Sequence, residues 1–134
     1  MELLNNTTGK KLWEKALTII PGGNGLLSKR PDRYVPDFWP IYFSNAKGIK
    51  VWDLDGKEFI DMAQMGIGAA ILGYANSEVD LAVKEAMSKG ISTTLNAPEE
   101  VMLAEKLLDL NSFAGGVRFA RTGGEAMAMA VRIS

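Results

Sequence analysis

Apolar residues first recur at helical spacing. Leu12, Trp13, Ala16, Leu17 and Ile20 fall near the helical period and predict a helix over about residues 8–19. Pro21-Gly22-Gly23 stops it. Residues 24–40 lose periodicity; Pro31, Pro36 and Pro40, with the basic pair Lys29 and Arg30, mark a loop-rich stretch. Short apolar runs follow and predict strands over 41–45, 49–52 and 58–61. The last two are joined by Asp53-Leu54-Asp55-Gly56, where Gly56 supplies positive φ and the aspartates suit turn hydrogen bonds. The pattern reads as a small antiparallel meander.

Residues 65–74 are Gly-rich and apolar and are expected to form a buried irregular segment. Ser77 is the expected cap of the next helix, with Glu78 and Asp80 in its first turn. Val79, Ala82, Val83, Ala86 and Met87 give that helix one apolar stripe, and Gly90 ends it. After a polar link at 93–97, Pro98 opens a further helix with Glu99 and Glu100 behind it. Val101, Ala104, Leu107 and Leu108 are its expected buried face. Gly115-Gly116 precede a predicted strand at 117–120. A last helix starts near Gly124, with Ala126, Met129, Ala130 and Ile133 on one side. No stop signal follows Ile133, and a buried strand at 117–120 needs parallel neighbours that no later strand supplies. The expectation is the N-terminal portion of a longer protein. Trp13, Trp39 and Trp52 are expected as core anchors.

Composition narrows the chemistry. The chain has 134 residues, 47% of them hydrophobic, and a formal net charge of −1, so one domain with a real core is expected and a nucleic-acid footprint is not. The apolar run at 66–72 is too short and Gly-interrupted for a membrane span. The first residues lack the basic and apolar regions of a signal peptide, and a cytoplasmic location is expected. Cysteine and histidine are both absent, which excludes disulfides, thiolate zinc sites and an imidazole base. Any chemistry is expected from a cofactor or from residues outside these 134. No metal site is expected, because Asp53 and Asp55 lack the remaining ligands of a calcium loop.

The stretch Val117-Arg118-Phe119-Ala120-Arg121-Thr122-Gly123-Gly124-Glu125-Ala126 carries the candidate site. A strand, a Gly-containing turn and a helix start together suit a phosphate, because the first N–H groups of a helix are unpaired and lie at its positive end. Many such turns carry two glycines for packing only, and spacing alone leaves both readings open. On the residues alone, a free-standing phosphate- or nucleotide-binding module and a catalytically inactive dimerisation fragment remain alternatives.

Several blocks in order sharpen the picture. They are Ile20-Pro21-Gly22-Gly23; Gly48-Ile49-Lys50-Val51-Trp52-Asp53-Leu54-Asp55-Gly56 with Phe59-Ile60-Asp61; Gly66-Ile67-Gly68 with Ile71-Leu72-Gly73; Pro98-Glu99-Glu100 with Leu103-Ala104-Glu105; and residues 117–126 closing with Ala130-Val131-Arg132. Their order and spacing resemble the N-terminal part of class III aminotransferases, fold-type I enzymes that use pyridoxal 5′-phosphate (PLP). The likeness is to the glutamate-1-semialdehyde aminomutase branch and its aminotransferase relatives.

The resemblance implies an α/β fold: an N-terminal helix and antiparallel meander over residues 1–62, then the incomplete start of the PLP-binding large domain over 63–134. It implies that Thr122, Gly123 and Gly124 hold the cofactor phosphate through the Thr122 hydroxyl and backbone N–H groups. Many relatives carry Ser or Thr at Gly124, so one donor is missing here. Glu125 either serves the helix start or takes a cofactor role. Lys29 and Arg30 fall where relatives grip a substrate carboxylate, or else are solvated loop charges. Gln64, Met65 and Gly66 fall where relatives line the substrate pocket; a packed Gly turn is the other reading for Met65. Tyr74-Ala75-Asn76-Ser77 replaces the usual His-Pro and is read as a change of helix entry. The lysine that forms the Schiff base, and the acidic partner of the pyridine nitrogen, lie beyond position 134 in the family, so no catalytic residue is assigned. The implied activity is amino transfer from a small-molecule amino donor to a carbonyl acceptor, with an amino acid or amino-sugar-type carbonyl compound as substrate. The implied enzyme is a homodimer, without nucleic-acid or membrane partners, and the 134 residues alone are expected to be inactive.

Overall fold

The computed structural model describes residues 7–35 and 37–134. Pro36 and the first six residues, on which the loop-proline and leader readings fall, lie outside the described residues. The chain divides into two compact units, one ending at Ser88 and one beginning at Lys89.

The first unit opens with α1 (Thr8–Ile19). Thr7 caps it, its side chain accepting from the Lys10 N–H, and the predicted stripe puts Ala16 in the core at 5% exposure. Gly23 then turns the chain back under the Trp13 ring. A Cβ at Gly23 would lie 2.4 Å from that ring, so only glycine fits. Trp13, Trp39 and Trp52 are each half-buried rather than fully enclosed, and Trp39 stacks on Tyr34 with ring centroids 4.0 Å apart.

Strands β1 (Phe43–Lys47), β2 (Lys50–Asp53) and β3 (Glu58–Ile60) form an antiparallel sheet in the order β1-β2-β3, as the sequence pattern predicts. Ser44 is the bulged residue between the Phe43–Asp53 and Asn45–Trp52 pairs, and its hydroxyl donates to the Asp53 carbonyl at 2.6 Å. Asp53 is buried and ties the β2–β3 turn together: its carboxylate accepts from the Asp55 and Lys57 N–H groups at 3.0 and 2.8 Å. The hairpin reading of this stretch holds, with Gly56 at φ 81°. Asp55 does something the sequence pattern does not announce. Its carboxylate accepts from the Thr8 N–H at 2.9 Å and from the Thr8 hydroxyl, fastening the hairpin to the start of α1.

Beyond β3 the chain enters a short helical turn, α2 (Gln64–Ile67), and then residues 68–76. The irregular course is as expected; the burial is not. Ile71 and Leu72 are 82% and 68% exposed, because no described element packs over them. The helix α3 (Ser77–Ser88) follows, with Gly90 in the left-handed region just past its end. Its cap is Asn76 rather than Ser77: the Asn76 side-chain oxygen accepts from the Glu78 and Val79 N–H groups at 3.1 and 3.2 Å. The α3 stripe stays largely open, Val79, Val83 and Met87 being 47–57% exposed.

The second unit holds α4 (Pro98–Leu110) and α5 (Gly123–Ile133). Pro98 opens α4 as expected, and Ala104, Leu107 and Leu108 are among its more protected positions, whereas Val101 is 62% exposed. The predicted strand at 117–120 is absent. These residues run without ladder pairing, because no described residue offers a partner edge.

Candidate functional site at the start of α5

The start of α5 is built by residues 121–126. Thr122 is extended, at φ −133° and ψ 157°, and its side-chain oxygen accepts from the Glu125 N–H at 3.2 Å. The Thr122 carbonyl accepts from the Ala126 N–H at 3.0 Å and begins the helical ladder. Glu125 folds back, and its carboxylate accepts from the Arg121 N–H at 2.9 Å. This is a capping box displaced by one residue, and it gives Glu125 a helix-start role. Because the Thr122 oxygen is the acceptor in this cap, its hydroxyl hydrogen is left to donate elsewhere.

The N–H groups of Thr122, Gly123 and Gly124 find no acceptor among the described residues. Neither glycine has positive φ, and a Cβ at either would meet nothing within 4 Å. Backbone conformation does not require glycine here, and neither does packing within this chain. What the missing Cβ atoms do is leave a row of N–H donors approachable at the positive end of α5. Three N–H groups and one hydroxyl gathered in one turn at an open helix start are of the donor type that suits a phosphate.

The residues expected on the substrate side all lie in the first unit. Lys29 is exposed at the end of the single helical turn Leu27–Lys29. Arg30 is bound to Asp32 in a fork, at 3.0 and 3.1 Å, and this hydrogen bonding holds the Asp32 carboxyl below its ordinary range. Any incoming carboxylate must compete with Asp32 for that guanidinium. Gly66 lies within α2 at φ 72°, and Met65 beside it is also left-handed, at φ 36°. Gln64 opens α2, but its side chain lies outside the described residues. The structure therefore brings Thr122, Gly123 and Gly124 into one turn, and keeps Lys29 and Arg30 adjacent with Arg30 already paired. Among the described residues no cluster of acidic side chains is suited to a metal ion. Sequence reasoning missed Asp61, whose carboxylate accepts from the Tyr74 hydroxyl at 2.5 Å. No local pattern signals a pair thirteen residues apart that depends on a chain reversal.

A family model described as aminotransferase class-III matches residues 33–134. The chain belongs to the class-III aminotransferases. It is 33% identical over 134 residues to the 3-aminobutyryl-CoA aminotransferase of Cloacimonas acidaminovorans, covering 99% of this chain and 32% of that protein. It is 37% identical over 127 residues to the glutamate-1-semialdehyde 2,1-aminomutase of Aquifex aeolicus, covering 93% of this chain and 29% of that protein. Among solved structures, the FumI protein of Sphingopyxis sp. MTA144, determined as its PLP form, superposes with a TM-score of 0.83 at 30% identity. That match covers 93% of this chain and 30% of FumI. An omega-transaminase from Sphaerobacter thermophilus superposes at 0.81 with 28% identity, over 95% of this chain and 28% of that one. The fold of this class-III member is thus that of the PLP transferases, and the chain spans under a third of the length of the relatives it matches.

Proposed function

We propose that these residues are the N-terminal part of a PLP-dependent aminotransferase or aminomutase, and that the start of α5 holds the cofactor phosphate. The observation that carries the reading is the set of N–H groups at Thr122, Gly123 and Gly124 that find no acceptor among the described residues, two of them on glycines that neither conformation nor packing explains. Membership of a PLP family supports PLP as the ligand. Bound PLP supplies a carbonyl that accepts and returns an amino group. The residues here bind and orient: the N–H row and the Thr122 hydroxyl fix the phosphate, and Glu125 holds the turn by bonding Arg121. Lys29, Arg30, Gln64 and Gly66 are the proposed substrate-side residues, and the boundary between small and large domains is proposed at 62/63. The substrate class is an amino acid or an amino-sugar-type carbonyl compound, paired with a small-molecule amino donor.

The same reading includes a cytoplasmic homodimer. Exposed apolar residues such as Ile71, Leu72 and Leu95, 68–82% accessible, favour association. The test is a titration of the full-length protein with PLP and with pyridoxal, followed by amino-transfer assays on glutamate 1-semialdehyde and 3-aminobutyryl-CoA. Tight PLP binding and much weaker pyridoxal binding are expected, with either transfer of the amino group from 3-aminobutyryl-CoA to an added 2-oxo acid or its relocation within glutamate 1-semialdehyde. Equal binding of PLP and pyridoxal would remove the phosphate site, and a monomer in light scattering would remove the dimer.

A further inference from the structure

Residues 62–73 form a loop whose ends are drawn together. At its base Gly48 and Tyr74 exchange two backbone hydrogen bonds, at 2.8 and 2.9 Å, and the Asp61 N–H donates to the Ile49 carbonyl at 2.8 Å. Gly73 lies so close that a Cβ there would be 3.1 Å from the Gly48 Cα, at φ 87°, so glycine is required. The side chains close the ring. One Asp61 oxygen accepts from the Tyr74 hydroxyl at 2.5 Å, and the other accepts from the Ala63 N–H at 2.7 Å, at the loop's first turn.

Inside the loop the backbone is held away from its easy conformations. Met65 has φ 36° and ψ 77°, a sparsely populated region for a side chain with a Cβ. Such residues persist where the surroundings over-determine them, and they concentrate at ligand sites. The loop has little packing of its own: Met62, Ile71 and Leu72 are 87%, 82% and 68% exposed. Its internal ties are backbone bonds: Ala69 N–H to the Gly66 carbonyl at 3.3 Å, Ala70 N–H to the Met65 carbonyl at 3.2 Å and Gly73 N–H to the Ala70 carbonyl at 2.8 Å. Besides these local bonds, the loop is held at its base, where Asp61 and Tyr74 meet.

We propose that Asp61 and Tyr74 are positioning residues, a clasp that sets the loop carrying Gln64 to Gly66 for amino substrates. This rests on the proposed aminotransferase function. Neither side chain touches substrate or cofactor in this role. Each acts through the loop.

The test uses the full-length protein and two variants. Tyr74→Phe keeps the ring and removes one hydroxyl, and Asp61→Asn keeps the shape and removes the charge. Amide hydrogen exchange over residues 63–73 is expected to quicken about tenfold in Tyr74→Phe, the scale of one lost charge-assisted hydrogen bond. The KM for the amino substrate is expected to rise about fivefold or more, with kcat within about twofold and PLP affinity unchanged, as for lost substrate binding. The double variant is expected to be no worse than the worse single, since the Tyr74–Asp61 bond is the interaction the two substitutions share. Unchanged exchange over 63–73 overturns the clasp. A lowered melting temperature with KM and kcat intact also overturns it, because the contact is then structural only. If the parent protein transfers no amino group, the proposed function fails and the substrate role with it, while the exchange measurement still decides whether the clasp orders the loop. If the parent transfers normally and Tyr74→Phe matches it in both readouts, only the clasp fails.

Discussion

Placing a side chain at Gly124 separates a ligand cradle from a packing feature by the sign of two effects. Gly124 lies in the first turn of α5 without positive φ, and a Cβ there meets no protein atom within 4 Å. Glycine costs a helix interior about 1 kcal/mol relative to alanine, and valine at most about 0.7 kcal/mol, so Gly124→Val is expected to leave the protein as stable or slightly more so. The phosphate occupies that open space in the proposed reading, and the valine branches crowd it. PLP affinity is then expected to fall at least tenfold, about 1.4 kcal/mol. Thr122→Ala makes the contrast. It removes the acceptor for the Glu125 N–H, costing about 1 kcal/mol of helix stability. It also removes a donor to a charged group, about 1.5–3 kcal/mol, or roughly ten- to hundredfold in affinity. Stability and affinity therefore fall together in Thr122→Ala and part company in Gly124→Val. PLP titration by absorbance and urea unfolding of the PLP-free protein read the two quantities. If Gly124→Val retains PLP as tightly as its parent, the glycine row is not a phosphate cradle.

Asp55→Ala is expected to cost about 1 kcal/mol in urea unfolding, the scale of a lost helix-start acceptor, because Thr8 loses its partner across the hairpin. PLP affinity in that variant stays as in the parent, and a fall of tenfold would contradict the site assignment. The Tyr74 hydroxyl, hydrogen-bonded to the Asp61 carboxylate and partly desolvated, is pushed up to about 12 from 10.0. The neutral hydroxyl is the form the fold favours, so the stabilisation is complete below pH 10 and is lost as pH rises towards 12. Carbon-13 NMR of labelled tyrosine should follow this titration, and Asp61→Asn should bring it down; an unchanged titration in that variant counts against the bond. The 134-residue chain by itself is expected to transfer no amino group, since the family resemblance implies that the Schiff-base lysine lies beyond position 134. Borohydride fixing one pyridoxyl group per chain at a single lysine would refute that.

Local rules settled much of this protein from its sequence. The span of α1, the antiparallel meander, the turn at Gly56 and the Pro98 helix start all follow from periodicity and from residues with fixed backbone preferences. The start of α5 follows a local rule as well: Thr122 as cap and Glu125 three residues on are a local signature. Where the outcome depended on what lies across space, the sequence pattern was insufficient. The apolar run at 117–120 resembles a strand, but a ladder needs a neighbouring edge, and no described residue supplies one. The segment at 65–74 is apolar, but burial needs a covering element, and Ile71 remains open to solvent. Asn76 displaced Ser77 as the α3 cap because Gly48 and Tyr74 pair immediately before it and set where the chain enters the helix. Asp55 on Thr8 and Asp61 on Tyr74 are long-range pairs of ordinary polar residues. Only chain reversal brings such carboxylates to their donors, so the tertiary structure alone decided them.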